Sequence, residues 1–473
     1  MKTMTLARYT MAAAGFAMLP IFSVAAQVAD PHSEQTPEAV APDVGANVVV
    51  RPYLAPSDVV VPASSQSLAT DAGVVAHTNY MIKNLRGVAP ATIQDLRVPA
   101  PAAAPGPAAT FAETPASLAC LYGMGKAYTG CAPINNSAYN AVGGTGAIAI
   151  VIAFHNPTVL TDLNYFSSYF GLPAPKFTLI KATSAIGGNC GRVPVNAGWS
   201  LESALDTQWV HAMAPAARII LVEACDNSYA QLMLAEQLAS AALLPYNGGQ
   251  VSNSWSSGEF STESTDWDGV FRSNWVAGKP ISYFFSAGDA GLGAQYPSVS
   301  PWVVSVGGTT INRDPSTLAF VSESCWAGSG GGISAYETYS TNFGSGTGPW
   351  TNYQYPLFGL TNRTTPDIAL DADPASGAYV YYAGNWYIVG GTSLSAPAIA
   401  GIVNNSNNRL GIAPSGGGYY TSAENNLLYS QLLTYREYRT NFYDITTGSN
   451  GAAAGVGWDA CTGVGSPRGR NGK

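Results

Sequence analysis

A seven-residue apolar run, Ala147-Ile148-Ala149-Ile150-Val151-Ile152-Ala153, constrains the fold of this chain more than any other segment. Alternating apolar and polar residues would mark a strand with one wet face, whereas an unbroken run marks a strand covered on both. Arg218-Ile219-Ile220-Leu221-Val222, Ile281-Ser282-Tyr283-Phe284-Phe285 and Val303-Val304-Ser305-Val306 read the same way. Between and after them, Leu201 to His211, Tyr229 to Leu243 and Ser395 to Asn407 read as helices. Strand–helix alternation with no repeat period predicts an α/β fold, a mostly parallel central sheet flanked by helices.

Composition narrows the setting. The 473 residues are 47% hydrophobic, enough for a large core, and 11% charged. Ordinary soluble domains carry ~25% charged residues. The 51 Gly and 31 Pro, with abundant Tyr, Ser and Asn, fit an extracellular protein with many ordered loops. Net charge is −8 and no basic run occurs, so a nucleic-acid surface has nothing to build on. Few Lys and Arg also mean little self-repulsion once carboxylates protonate, which suits acidic conditions.

Lys2 and Arg8 precede an apolar stretch from Tyr9 to Val24, and Val24-Ala25-Ala26 is a small-residue cleavage pattern. Residues 1–26 therefore read as a secretory signal peptide, too short in its apolar part for a membrane span. No other segment is long and apolar enough to cross a bilayer. The expected product is exported, to the medium or the periplasm, as a monomer without a membrane anchor. Six cysteines in an exported chain suggest three disulfides. Of fifteen connectivities, proximity favours Cys120–Cys131, Cys190–Cys225 and Cys325–Cys461. All six lie beyond residue 115. Residues 27–115 have none and end in the Pro/Ala-rich Val98 to Pro107, so they read as a propeptide and linker or as a flexible stalk. Residues 116–473 form the compact domain, with processing expected near residues 113–118.

Chemistry concentrates in Gly390-Gly391-Thr392-Ser393-Leu394-Ser395-Ala396-Pro397-Ala398-Ile399-Ala400-Gly401. Glycines let a substrate approach the backbone closely, and a serine opening a buried helix sits among amide dipoles that stabilise negative charge. Pro397 is expected in that helix's first turn. Ser393 is thus the candidate nucleophile, and it needs a base. His32 and His77 fall in the propeptide, His155 has no supporting motif, and His211 sits in an apolar helix. Glu202 and Asp206 are the better candidates. Four apart on a helix, they share a face, and two like charges there are relieved by sharing a proton, which raises one apparent pKa. Asp289, in Ser286-Ala287-Gly288-Asp289-Ala290-Gly291 after an apolar strand, could donate to an oxyanion if protonated, or simply cap a turn. Near the C-terminus, Asp444 and Asp459 flank Gly-rich loops that could cage Ca²⁺ with backbone carbonyls, or form Asx turns.

These elements, in order over residues 116–473, resemble the sedolisin family, serine-carboxyl peptidases on a subtilisin-like fold. The resemblance implies an acid-acting endopeptidase made as a self-processing precursor, with protein or peptide substrates. It implies Ser393 as nucleophile, Glu202 as base, Asp206 as its proton-sharing partner and Asp289 in the oxyanion hole. It also implies one structural Ca²⁺ held in a C-terminal loop region by Asp444, Asp459 and the carbonyls of Ile445, Gly455 and Gly457. True subtilisins end their first strand in a catalytic Asp, where this chain has Ile152, and they carry a His-Gly motif that is missing here. The chain also departs from sedolisins in its short, Pro-rich residues 27–115. Two other readings compete: an inactive exported binding protein using its 26 Tyr and 10 Trp as a contact surface, and a neutral Ser-His-Asp hydrolase.

Overall fold

The apolar run 147–153 forms a strand in which every residue is buried, and it lies inside the central sheet. The computed structural model describes residues 58–102 apart from 88, 89 and 91, then 111–272, 279–338, 354–406 and 421–473. The signal peptide at 1–26, His32, residues 27–57 and linker residues 103–107 lie outside the described residues, as does Asn407. The described residues fall within one unit, Pro37–Lys473.

In chain order the strands up to Cys325 are β1 (Val59–Val60), β2 (His77–Thr78), β3 (Met81–Lys83), β4 (Ala147–Ala153), β5 (Lys176–Lys181) and β6 (Arg218–Ala224). β7 (Gly249–Asn253), β8 (Trp255–Gly258), β9 (Ile281–Ser286), β10 (Gln295–Tyr296), β11 (Val304–Arg313) and β12 (Phe320–Cys325) follow. The main sheet runs β12-β11-β9-β7-β4-β6-β5, and Ile368–Asp371 also pairs with β11. Only β12 pairs antiparallel in it. Register is continuous across the centre, with Ile150 opposite Leu221 and Ser252. This is the mostly parallel, subtilisin-like α/β sheet the sequence predicts.

The helices that bear on the site are α1 (Pro115–Leu121), α2 (Val159–Phe170), α3 (Ala197–Met213), α4 (Tyr229–Leu243) and a later helix, Thr392–Asn405, here called the serine helix. Asn196 caps α3 by accepting from the backbone amides of Gly198 and Trp199. From Trp199 to Met213 no α3 residue is exposed, polar ones included, and the helix packs against the serine helix. A helix buried all round has no solvated face, so its carboxylates must find partners inside the protein. The three disulfides are Cys120–Cys131, Cys190–Cys225 and Cys325–Cys461.

Residues 58–98, expected from sequence to precede the compact domain as a loosely built stretch, are ordered against it. β3 pairs with Asn385–Gly390, β2 pairs with β8, and Val98 bridges to Trp386. Composition carried no warning, because short strands completed by another sheet need no periodicity of their own.

Candidate active site

The serine helix begins earlier than its apolar pattern indicates, at Thr392, so Ser393 is its second residue. Gly391 precedes it at φ +103°, a left-handed conformation that favours glycine. Pro397 is the sixth residue of the helix, beyond the first turn expected for it. Its missing N–H cannot bond the Ser393 carbonyl, and the Ser254 hydroxyl lies 3.3 Å from that carbonyl instead. The proline thus opens a place for Ser254 beside the serine.

Glu202 and Asp206 project from α3 toward the serine. Ser393 Oγ donates to Glu202 Oε2 at 3.1 Å and also lies 3.4 Å from the Ser254 carbonyl. Ser254 Oγ donates to Asp206 Oδ1 at 2.7 Å. The remaining oxygens, Glu202 Oε1 and Asp206 Oδ2, are buried without a hydrogen-bond partner, and two neighbouring buried carboxyls of like charge are relieved when they share one proton. Burial first, then the Asp206 charge, raises Glu202 well above the carboxylate range, with the Ser393 hydroxyl pulling it back. Burial also raises Asp206.

Asp289 follows β9. Its Oδ1 accepts from the Thr392 amide at 2.7 Å and the Thr392 hydroxyl at 2.8 Å, so it supplies the cap that Gly391 cannot. Its Oδ2 is buried without a partner, and burial pushes the group up to about 7. A carboxyl that stays protonated through acidic pH can present that oxygen as an O–H donor.

The three described histidines stand elsewhere. His155 pairs with Glu223 at 2.7 Å, and His211 bonds the Pro173 carbonyl at 2.8 Å. His77 lies on β2 and bonds the neighbouring Thr78 carbonyl. Hydrogen-bond partners of Ser393 Oγ among the described residues are Glu202, Ser254 and the Asn79 amide.

The sequence reading missed Asn79. Its amide donates to Ser393 Oγ at 3.1 Å, and its carbonyl accepts from the Ser393 amide at 2.9 Å. Its side chain reaches Ser256 and Ser286. The run Ser252-Asn253-Ser254-Trp255-Ser256-Ser257-Gly258, small and polar yet almost wholly buried, was the signal available for this part of the cleft. A separate cavity of about 670 Å³ is lined in part by Val60, His77, Phe154 and Trp199, and by none of Ser393, Glu202, Asp206 or Asp289.

At the C-terminus, Asp444 Oδ1 accepts from the Gly457 amide and from the Tyr438 hydroxyl, which also lies 3.2 Å from the Gly457 carbonyl. Asp459 accepts from the amides of Gly455, Cys461 and Thr462. Both expected carboxylates therefore hold the same 455–459 loop, and neither forms an ion pair among the described residues. Among those residues no cluster of three or more His, Cys, Asp or Glu side chains could hold a metal, so carbonyls would have to complete any cage. An all-oxygen set of two carboxylates and backbone carbonyls is the kind of donor set a hard cation takes.

Comparison with known proteins places the chain among peptidase-like sequences and folds. The Subtilase family pattern matches residues 195–411, which include Glu202, Asp206, Asp289 and Ser393. Kumamolisin of Bacillus sp. (strain MN-32) is 29% identical over 344 residues, 65% of this chain and 56% of its own. Xanthomonalisin of Xanthomonas sp. (strain T-22) is 26% identical over 441 residues, 79% of this chain and 47% of its own. Sedolisin of Pseudomonas sp. (strain 101) is 30% identical over 223 residues, 44% of this chain and 33% of its own. The chain thus spans only a third to just over half the length of these curated relatives. In three dimensions it superposes on Pseudomonas sedolisin complexed with two molecules of pseudo-iodotyrostatin, with TM-score 0.57 and 25% identity. The match covers 76% of this chain and 95% of that one. Residues 195–411 are thus similar to a subtilase domain. Within that class, its homologues are sedolisin-family serine-carboxyl peptidases.

Proposed function

We propose that this chain is a serine-carboxyl endopeptidase that works in acid on proteins or peptides outside the cell. The observation that carries the reading is the Ser393–Glu202 hydrogen bond at 3.1 Å, with the Asp206 carboxyl near Glu202 and no histidine among the hydrogen-bond partners of Ser393 Oγ in the described residues. Glu202 takes the Ser393 proton as Oγ attacks a peptide carbonyl. The Ser393 amide and the Asp289 O–H stabilise the oxyanion. Glu202 returns the proton to the leaving amine, and water then releases the acyl group by the same route. The base and its partner must share one proton for this, and Asp289 must keep its own, which places the working range in acid.

Asp444, Asp459 and the carbonyls of Ile445, Gly455 and Gly457 would hold one Ca²⁺. Bound there, the ion would cross-link the C-terminal loop and take no part in the chemistry. Among the described residues no helix is long and apolar enough to cross a membrane. The signal-like N-terminus supports export.

The test is casein hydrolysis from pH 3 to 8 by wild type, Ser393→Ala and Glu202→Ala. Activity should peak in acid and vanish in both variants. A fully active Glu202→Ala protein, or an optimum near pH 8, would overturn the proposal.

A further inference from the structure

The chain itself threads the cleft, and its fate there rests on the proposed serine-carboxyl chemistry. On one side of the serine, β2 pairs antiparallel with β8, His77 opposite Ser256 and Thr78 opposite Trp255. On the other, Met81 and Ile82 pair antiparallel with Gly390 and Val389. The segment is therefore held extended by added strand pairing, a mode by which peptides dock on sheet edges. Between the two pairings lies the Asn79–Tyr80 peptide bond. Its carbonyl oxygen accepts from the Ser393 amide, one of the two oxyanion donors, and the Asn79 amide touches Ser393 Oγ. A Cβ at Gly391 would meet Asn79 O at 2.3 Å, Asp289 Oδ2 at 2.4 Å and Tyr80 Cα at 2.6 Å. The bond, the second oxyanion donor and the bare glycine backbone thus converge on one point.

The Asn79 side chain fills a pocket of matching chemistry. Nδ2 donates to Ser256 Oγ at 2.8 Å and to Ser286 Oγ at 2.7 Å, and Ser256 Oγ lies 3.1 Å from Oδ1. Ser256 Oγ is also 2.5 Å from Gln295 Oε1. Among the described residues the carboxamide's hydrogen-bond partners are hydroxyls, with Gln295 one contact behind. An ionised aspartate there would have no compensating cation, and a leucine would leave buried hydroxyls unpaired.

We propose that the Asn79–Tyr80 bond is this enzyme's first substrate, and that Ser256 and Ser286, backed by Gln295, select a carboxamide side chain on the acyl side of the cut. Ser393 Oγ bonds the Asn79 carbonyl carbon as its proton passes to Glu202. The bond to the Tyr80 nitrogen breaks, and that nitrogen takes the proton from Glu202. Water then hydrolyses the Asn79 ester, leaving a carboxylate on Asn79, a free amine on Tyr80 and the hydroxyl on Ser393. The cut falls here and not near residues 113–118, where Glu113 is locked by Arg313 at 2.7 Å and Pro115 opens α1.

The full-length chain, purified near neutral pH, is brought to pH 4 and followed by intact mass and N-terminal sequencing, with casein hydrolysis measured alongside. Wild type should acquire an N-terminus at Tyr80, Ser393→Ala should not, and Asn79→Leu should be processed at least about tenfold more slowly. Peptides carrying Asn, Asp or Leu on the acyl side should be cut with a clear preference for Asn. That preference should collapse in the Ser256→Ala/Ser286→Ala double variant while cleavage of the Leu peptide is retained, a change of ratio that mere loss of structure does not produce. Ser393-dependent casein hydrolysis with no terminus at Tyr80, or with Asn79→Leu processed like wild type, overturns this inference and leaves the peptidase reading standing. No preference for Asn among the peptides also overturns it. Neither self-cleavage nor casein hydrolysis from pH 3 to 8 removes both.

Discussion

Asp289→Ala removes the side-chain donor aimed at the space over Gly391, and the contacts set its cost. In the wild type, Oδ1 is committed to Thr392 through two hydrogen bonds at 2.7 and 2.8 Å, so Oδ2 is the oxygen left for the oxyanion of the proposed mechanism. Loss of one preorganised oxyanion donor costs on the order of 10²–10³ in kcat, about 2.7–4 kcal/mol. KM should move little, since the interaction strengthens only as charge develops. Asp289→Asn makes the reasoning sharper. Its carbonyl oxygen must stay on the Thr392 amide, which turns Nδ2 into the position of Oδ2 and preserves a donor. That variant should recover at least about tenfold in kcat over Asp289→Ala at pH 4. Because burial pushes Asp289 up to about 7, wild type loses this donor as pH rises through that value, whereas the amide has no proton to lose. Steady-state kinetics on a chromogenic peptide from pH 3 to 8 measure both effects. An alanine variant within threefold of wild type in kcat, or an asparagine variant no better than alanine, would refute the argument.

Stability should favour acid. Burial raises Asp289, Glu223 and Glu424 each to about 7 and raises Glu236 well above the carboxylate range. Each holds its proton to higher pH in the folded than in the unfolded chain, so its contribution is full below the unfolded value near 4; for Asp289, Glu223 and Glu424 it is lost as pH rises through about 7, and Glu236 acts in the same direction. His77, His155 and His211, held neutral by burial, act oppositely, but the raised carboxyls outnumber them. The Tm at pH 4 should exceed that at pH 8, and an equal or higher value at pH 8 in a melting series contradicts this. For the metal, a chelator should lower the Tm of wild type and leave Asp459→Ala unmoved; an unchanged wild-type Tm removes the Ca²⁺ assignment. Arg313→Ala strands the fully buried Glu113, so denaturant unfolding should show a loss of about 3–5 kcal/mol, and a loss under 1 kcal/mol would mean the pair is replaceable by water.

Much of the site was legible before the fold, for reasons particular to each piece. The Gly-Gly-Thr-Ser string encodes a turn into a helix within a few residues, and Glu202 and Asp206 share a helix face simply because they are four apart. Strands β4, β6 and β9 betrayed themselves by unbroken apolar runs, which only double-sided burial explains. Cysteine proximity indicated all three disulfides. Boundaries fared less well: the serine helix starts three residues before its apolar pattern, and Pro397 stands inside it, because Gly391 and Asp289 set the start and no local pattern records either.

Ser393 and its flanking string therefore came from sequence alone, as did the acidic pair and the absence of a fitting histidine motif. Local periodicity and turn chemistry write such features into a few adjacent residues. Only the tertiary structure decided that Ser393 meets Glu202 across 191 residues, and that Asn79 meets Ser393 across 314. Thr78-Asn79-Tyr80 carries no motif because its strand pairing, its carboxamide pocket and its oxyanion donors are all supplied by distant segments. A bond lying in an active site is a property of what surrounds it, and that exists only once the sheet has closed around it.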